Sequence, residues 1–215
     1  RETTAAADRR TMETDMLARR MMIASVAALT SFGALGLAPL ARTTNTAAET
    51  FSVDPVHSSM VFRVKHNNVA YFYGRFNDIS GAISLDSANE AGSSLEVSVK
   101  TESVDTGNEK RNGHLKSPDF FNAAKFPACT FKSTKFAKAS GDAFDVTGDL
   151  TIHGVTKPVT VKFEKTGQAK NPRGGELIGF ESTFTISRKD FGITFMPDGI
   201  GDDVRVSISL EAGKK

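Results

Sequence analysis

From Phe51 onward, apolar side chains recur at nearly every second position, and this spacing limits the chain to strands with one buried face. "SSMVFRVKH" sets Met60, Phe62 and Val64 against Val61, Arg63 and Lys65. "SLEVSVK" sets Leu95, Val97 and Val99 against Glu96, Ser98 and Lys100. The pattern repeats through Phe144, Val146, Leu150 and Ile152, then Val159, Val161 and Phe163. It returns in Phe180, Phe184 and Ile186, and in Val204, Val206, Ile208 and Leu210. With "NDISGAISL" and "CTFKSTKF" the count is about eight or nine strands. No helical pattern alternates with them, which argues against a parallel α/β sheet. One antiparallel all-β domain over residues 49–215 follows, closed into a barrel or folded as a sandwich. In "IHGVTKP", Gly154 takes positive φ freely and His153 tolerates it, which predicts a tight hairpin. The interior is expected to be dry, because 16 Phe against 2 Tyr and no Trp leave most large side chains without a polar atom to satisfy.

One charged stretch, "DTGNEKRNGHLKSPDFF" (105–121), interrupts the alternation. Thr106 and Glu109 have the spacing of a capping box, which predicts a short helix ended by Ser117 and Pro118. Ser117 and Pro118 then read as a second cap and first helical position. A phenylalanine pair is costly in water, so Phe120 and Phe121 are expected to turn inward with Leu115, making the segment a cap across one end of the strands.

The first 48 residues read differently. Arg19 and Arg20 precede about twenty uncharged, mostly apolar residues, followed by small residues with Ala47 or Ala48 as candidate cleavage points. This is the layout of an export signal, and it predicts a periplasmic or secreted protein. An uncleaved leader would instead tether the barrel, since a run of that length just spans a bilayer. The segment holds six of the chain's 27 basic and four of its 25 acidic residues, which leaves residues 49–215 balanced at 21 of each. A neutral body gives no electrostatic reason to bind nucleic acid, and it permits a homodimer without requiring one. Any contact of the body itself with a membrane is expected to be transient. The single cysteine, Cys129, sits at an inward position and excludes an internal disulfide. The expected role is a buried, inert thiol.

Residues able to do chemistry are scattered. His57, His66, His114 and His153 form no metal-binding spacing, and no nucleophile elbow, phosphate loop or dinucleotide fingerprint is present. Asp54 and Pro55 read as a turn, with His57 and Ser58 bonding the backbone as a strand begins. His66 and His114 have the better claim to a pocket mouth. No catalytic residue, metal or cofactor is expected.

The segments "FSVDPVHSSMVFRVKH", "GRFNDISGAI", "SVDTGNEKRNGHLKSPDFFNAAKFP", "TFKSTK", "VTGDLTIHGVTKPV" and "ISRKDFGI" together resemble the landmarks of the YceI-like proteins, in that family's order, over about residues 51 to 211. Those proteins are bacterial, commonly periplasmic and associated with polyisoprenoid binding. The resemblance implies an antiparallel eight-stranded lipocalin-like barrel, often dimeric, whose elongated cavity takes the tail of an isoprenoid quinone or polyprenyl phosphate. Carried over by motif, it favours Asp54, His57, Ser58, His66, Arg75, the block from Asp105 to Phe121, His153, Gly154, Arg188, Asp190, Phe191 and Gly192. Phe62, Phe76, Ile79, Leu115, Phe120, Phe121, Phe131, Ile152 and Phe191 are the candidate tail-binding residues. Ordinary core packing is the competing role for each, because a barrel of this size either fills with its own side chains or holds one small ligand. His66, Arg75, His114 and Arg188 are the candidates to face a polar head. The "MPDGIGDD" loop is expected to contribute little. Two other functions stay open: a periplasmic enzyme or metal-dependent redox protein using the histidines, and a stress-responsive interaction protein with a filled barrel.

Overall fold

The structure is a computed structural model that describes residues 48–172 and 174–214. The predicted export signal falls on residues that lie outside those described. Eleven strands form one antiparallel sheet: β1 (Glu49–Val53), β2 (Ser59–His66), β3 (Ala70–Phe76), β4 (Ile79–Leu85), β5 (Ser94–Lys100), β6 (Val104–Asp105), β7 (Ala128–Lys138), β8 (Ala143–Ile152), β9 (Val155–Lys170), β10 (Glu176–Ser187) and β11 (Ile200–Lys214). The alternation had foretold eight or nine, and the difference lies at the start of the chain. There three successive strands are each broken once. Along β11, β2 pairs with residues 200–209 and β1 with residues 212–214. In the same way β3 and β4 lie beside β2 and β1, and β6 and β5 beside β3 and β4. The six pieces therefore fill three positions, and with β7 to β11 they make an eight-stranded barrel closed by the β1–β11 pairing.

The first break, between β1 and β2, has a local cause. Asp54 Oδ1 accepts the backbone N–H of Val56 at 2.7 Å, an Asx turn that lifts the chain out of the ladder after β1. Ser58 returns it, its hydroxyl accepting from Glu211 N at 3.1 Å as β2 begins. His57 Nδ1 sits 2.9 Å from Asp54 Oδ2 and 3.8 Å from Glu211 Oε1, so the first motif is a clasp between β1, β2 and β11.

The barrel splits between β6 and β7, because β7 pairs with β5 and the sheet order ends at β6. Residues 106–127 lie along the chain between those two strands, with α1 (Glu109–Lys116) at their centre. The cap of α1 differs from the expected capping box. Asn108 is the cap residue, its Oδ1 accepting Arg111 N at 3.0 Å. Thr106 is drawn away by Asn112, whose Oδ1 accepts both the Thr106 N–H at 2.8 Å and its hydroxyl at 2.6 Å. Asn112 also donates to Asp105 Oδ1 at 3.1 Å, which fastens the helix to β6. Ser117 closes α1 by donating its N–H to His114 O, and Pro118 to Phe121 form a turn where a second helix start was expected. The far end of the segment is tied by Thr101, fully buried, whose N–H donates to Pro127 O and hydroxyl to Phe126 O.

The β8–β9 hairpin follows the sequence expectation. His153 and Gly154 have φ of 52° and 75°, the pair of positive values that a two-residue turn matching strand twist requires. Glycine is needed at 154 for a second reason: a Cβ there would lie 2.3 Å from the Phe126 ring.

Candidate ligand cavity and its mouth

The barrel interior is divided. Phe51, Ile79, Ile83, Phe136, Phe144, Ile178, Phe180, Leu210 and Ala212 pack as a core at the β1–β4–β5 end. Phe136, Phe144 and Phe180 interlock there, with ring centroids 5.1 Å and 6.2 Å apart. Toward the β2–β3 end the inward side chains part around a cavity of about 450 Å³. At about 30 Å³ per water this is room for roughly fifteen water molecules. The interior is therefore not filled by its own side chains.

Eight of the nine candidate tail-binding residues meet on this cavity: Phe62, Phe76, Leu115, Phe120, Phe121, Phe131, Ile152 and Phe191. Ile79 does not. It is 2% exposed within the packed core, because the chain has crossed from β3 to β4 and its inward residues now face the filled end. Phe120 and Phe121 turn inward with Leu115 as expected, and Phe121 meets Phe76 edge-on at 5.4 Å. The tip of the Phe62 ring lies over Gly74, its directly opposed partner on β3, where any Cβ would come within 2.3 Å of Cζ.

The mouth is where lining residues become exposed: His66 at the end of β2, Arg111 and His114 on α1, and Met196 in the loop before β11. Arg111 stacks its guanidinium 4.0 Å above the Phe72 ring and is held there by donating to the Thr106 hydroxyl and carbonyl at 2.9 and 2.8 Å. His114 Nε2 is 2.8 Å from Asp119 Oδ2, and its ring packs edge-on against Phe120 and Phe195. Among the described residues no hydroxyl or thiol hydrogen-bonds His114, so the pair lacks the nucleophile that a catalytic triad requires.

Two of the four head-facing candidates are placed otherwise. Arg75 is exposed on the outer face of β3, opposite Val61 and Asp105, because its neighbours Gly74 and Phe76 occupy the inward positions. Arg188 reaches the cavity wall but is 5% exposed, and its guanidinium donates to the carbonyls of Gly201, Ile193, Met196 and Ile200. It holds the loop that frames the mouth. Burial pulls its pKa down and the nearby Asp202 carboxylate opposes that pull.

Sequence reasoning missed Phe72, Arg111 as a mouth residue, and the loop itself, from which Phe195 and Met196 reach the cavity. Phe191, Ile193 and Phe195 alternate at period two, the available signal, in a segment that forms no strand. Cys129 also faces the cavity, and burial pushes its thiol up to about 12, so it stays protonated. Asp54, His57 and Glu211, the metal-capable side chains brought together among the described residues, form the exposed clasp described above. No helix among the described residues is long and apolar enough to cross a membrane.

The family model for the YceI-like domain matches residues 51–212. A UPF0312 protein of Pseudomonas aeruginosa is 43% identical over 155 residues, covering 72% of this chain and 81% of the relative. The Campylobacter jejuni YceI protein superposes with a TM-score of 0.62 at 36% identity, over 70% of this chain and 90% of that one. A polyisoprenoid binding domain from Saccharophagus degradans shares the fold, with a TM-score of 0.60 at 18% identity over 77% of this chain and 98% of that one.

Proposed function

The chain belongs to the YceI-like family, and on that premise we propose that it is an extracytoplasmic carrier or store for a long-chain isoprenoid amphiphile, an isoprenoid quinone or a polyprenyl phosphate. The observation that carries this reading is a barrel half packed and half hollow, whose hollow half is walled by phenylalanines and aliphatic side chains and bordered at its mouth by Arg111, His66 and His114. The tail enters the cavity and its end stops against the packed core. The polar head stays at the rim with His66, Arg111 and His114.

Magnitudes favour a tail-driven mode. Each buried methylene gains about 0.8 kcal/mol, so a five-carbon isoprene unit gains roughly 4 kcal/mol in gross transfer terms. Four units, about 16 kcal/mol, exceed the cost of association, about 4–15 kcal/mol. Affinity then needs little from the head, and the mouth serves orientation and selection. Arg111 suits this role because it is already fixed by Thr106 and Phe72 and loses little freedom on meeting an oxygen. The polyisoprenoid binding domain that shares the fold makes a tail of this kind the first occupant to test. The export-signal pattern supports a site of action outside the cytoplasm.

The test is native mass spectrometry of protein exported by, and purified from, a bacterial host, followed by lipid extraction. A stoichiometric isoprenoid is expected. Empty protein that also fails to take up added isoprenoid quinone overturns the reading. N-terminal sequencing of the same sample checks export, with a mature terminus near residue 49 as the expected result.

A further inference from the structure

The strands that wall the cavity have a second, outward face of unusual character. On β3 it presents Tyr71, Tyr73 and Arg75; on β2 Val61, Arg63 and Lys65; and on β11 Arg205 and Ser207. The pairing register puts Arg63 directly between Tyr73 and Arg205, and Lys65 beside Tyr71. Like charges directly opposite each other weaken a sheet, yet Arg63 and Arg205 are so placed. Among the described residues none of Arg63, Lys65, Arg75 and Arg205 makes an ion pair. The acids nearby are on the rim, Asp105 opposite Arg75 and Asp203 beyond Arg205, and Asp105 is already engaged by Asn77, Gly107 and Asn112.

The relief fits the charge. Val61, Arg63, Tyr73, Arg205 and Ser207 surround a shallow depression of about 170 Å³, room for five or six waters or one phosphate group. Arg63 lies 4.1 Å over the Tyr71 ring, and its Nε is buried without a partner. Tyr71 and Tyr73 are 52% and 55% exposed, and Val69 at the β2–β3 turn is 84% exposed. Amphipathic tyrosines flanked by cations are the composition of surfaces that sit at a bilayer's headgroup level.

We propose that this outer β11–β2–β3 face docks on a bilayer containing anionic phospholipid, with a lipid phosphate between Arg63 and Arg205. Docking brings the cavity mouth to the membrane, because His66 and Phe72, inward residues of the same two strands, belong to the mouth and the wall beside it. The face is a property of the outer surface and stands apart from what the cavity holds.

The experiment is co-sedimentation of the protein exported by and purified from a bacterial host, the same preparation whose N-terminus is sequenced, with phosphatidylcholine vesicles, with and without phosphatidylglycerol. Binding is expected only to the anionic vesicles, with release as added salt shortens the Debye length from ~30 Å to ~8 Å. Arg63→Glu with Arg205→Glu is expected to weaken binding by more than about 30-fold, since ~1 kcal/mol is lost for each of the two cations removed and two anions are added. Lys135→Glu with Lys170→Glu, on strands elsewhere in the barrel, leaves it unchanged. Any leader residues that remain are common to all variants, so the difference reads the face alone. Should the charge reversals fail to fold, Arg63→Gln with Arg205→Gln gives a smaller loss in the same direction. Equal binding to neutral vesicles, equal losses in the two pairs of variants, or binding to polyglutamate but not to vesicles overturns the proposal. Lipid extracted from the same samples separates the two claims: loaded protein that does not sediment removes docking alone, and sedimenting protein that never loads removes the carrier reading alone.

Discussion

Cys129 shows how position decides a residue's chemistry. The alternation in "ACTFKS" already turned it inward, and the structure places it on the cavity wall, where burial raises its thiol to about 12. From an ordinary thiol value of 9.0 this is a rise of about three units, so the native thiolate fraction is roughly a thousandfold smaller than in the unfolded chain. Alkylation by a small thiol reagent is expected to be slower by about that factor in native protein than in urea, and comparable rates would contradict the placement. At Gly154 two constraints coincide, a φ of 75° and the Phe126 ring where a Cβ would stand. Gly154→Ala is expected to destabilise by about 2 kcal/mol, readable in a denaturant titration. The φ requirement was legible from "HG" between two alternating runs. The ring contact was not, because Phe126 reaches the turn from a segment 28 positions earlier whose path no local pattern specifies.

At the scale of elements, the sequence specified that a short helix interrupts the strands but misassigned the residue that caps it. Thr106 and Glu109 had the right spacing, yet Asn112 draws Thr106 into a second hydrogen-bond system and leaves Asn108 to accept from the first turn. Two adequate caps stood two residues apart, and tertiary partners chose between them. Asn108→Ala is expected to cost about 1 kcal/mol and to loosen α1, and with it Arg111. Arg188→Leu removes donors from two loop carbonyls, Ile193 and Met196, and two at the start of β11, Ile200 and Gly201, at a cost of about 3 kcal/mol or more. Hydrogen exchange should localise that loss to residues 189–200. The same elements set the acid limit of the fold. Hydrogen bonds from Gly107, Asn112 and Asn77 hold the Asp105 carboxyl low, and the His57 contact does so for Asp54. Burial would raise Asp202, but bonds from Lys189 and Ser187 outweigh it. A carboxyl lowered in the fold stabilises it above the unfolded value of about 3.9, and that contribution fades as pH falls through the folded value. The melting temperature is expected to hold from neutral pH to about 5 and to fall below about 4, with Asp105→Asn showing a shallower fall.

For the whole molecule, period-two spacing was enough to fix one antiparallel all-β domain, because each run has one face to bury, while the choice of a barrel over a sandwich came from the resemblance to the YceI-like proteins. The spacing did not show that three strands break, since an Asx turn at Asp54 or a crossing between Phe76 and Ile79 leaves the apolar count unchanged. Those breaks divide the interior. The β1–β4–β5 pieces close over a packed floor while the β2–β3–β6 pieces stand apart from β7, which is why Ile79 lies wholly in the packed core while Phe76, three residues earlier, packs against that core and also faces the cavity. A divided interior makes stability and ligand retention separable. Ile83→Ala, in the packed half, should cost about 3 kcal/mol by cavity formation while leaving tail uptake intact in protein that remains folded. Val97→Phe with Val206→Phe adds rings where the wall faces empty space, so no overpacking penalty is expected and stability should stay within about 1 kcal/mol. The same pair shortens the space for a tail, and extracted isoprenoid per protein should fall severalfold. Calorimetry and lipid extraction on the same preparations read both quantities, and variants in which the two always fall together would mean that the interior works as a single core.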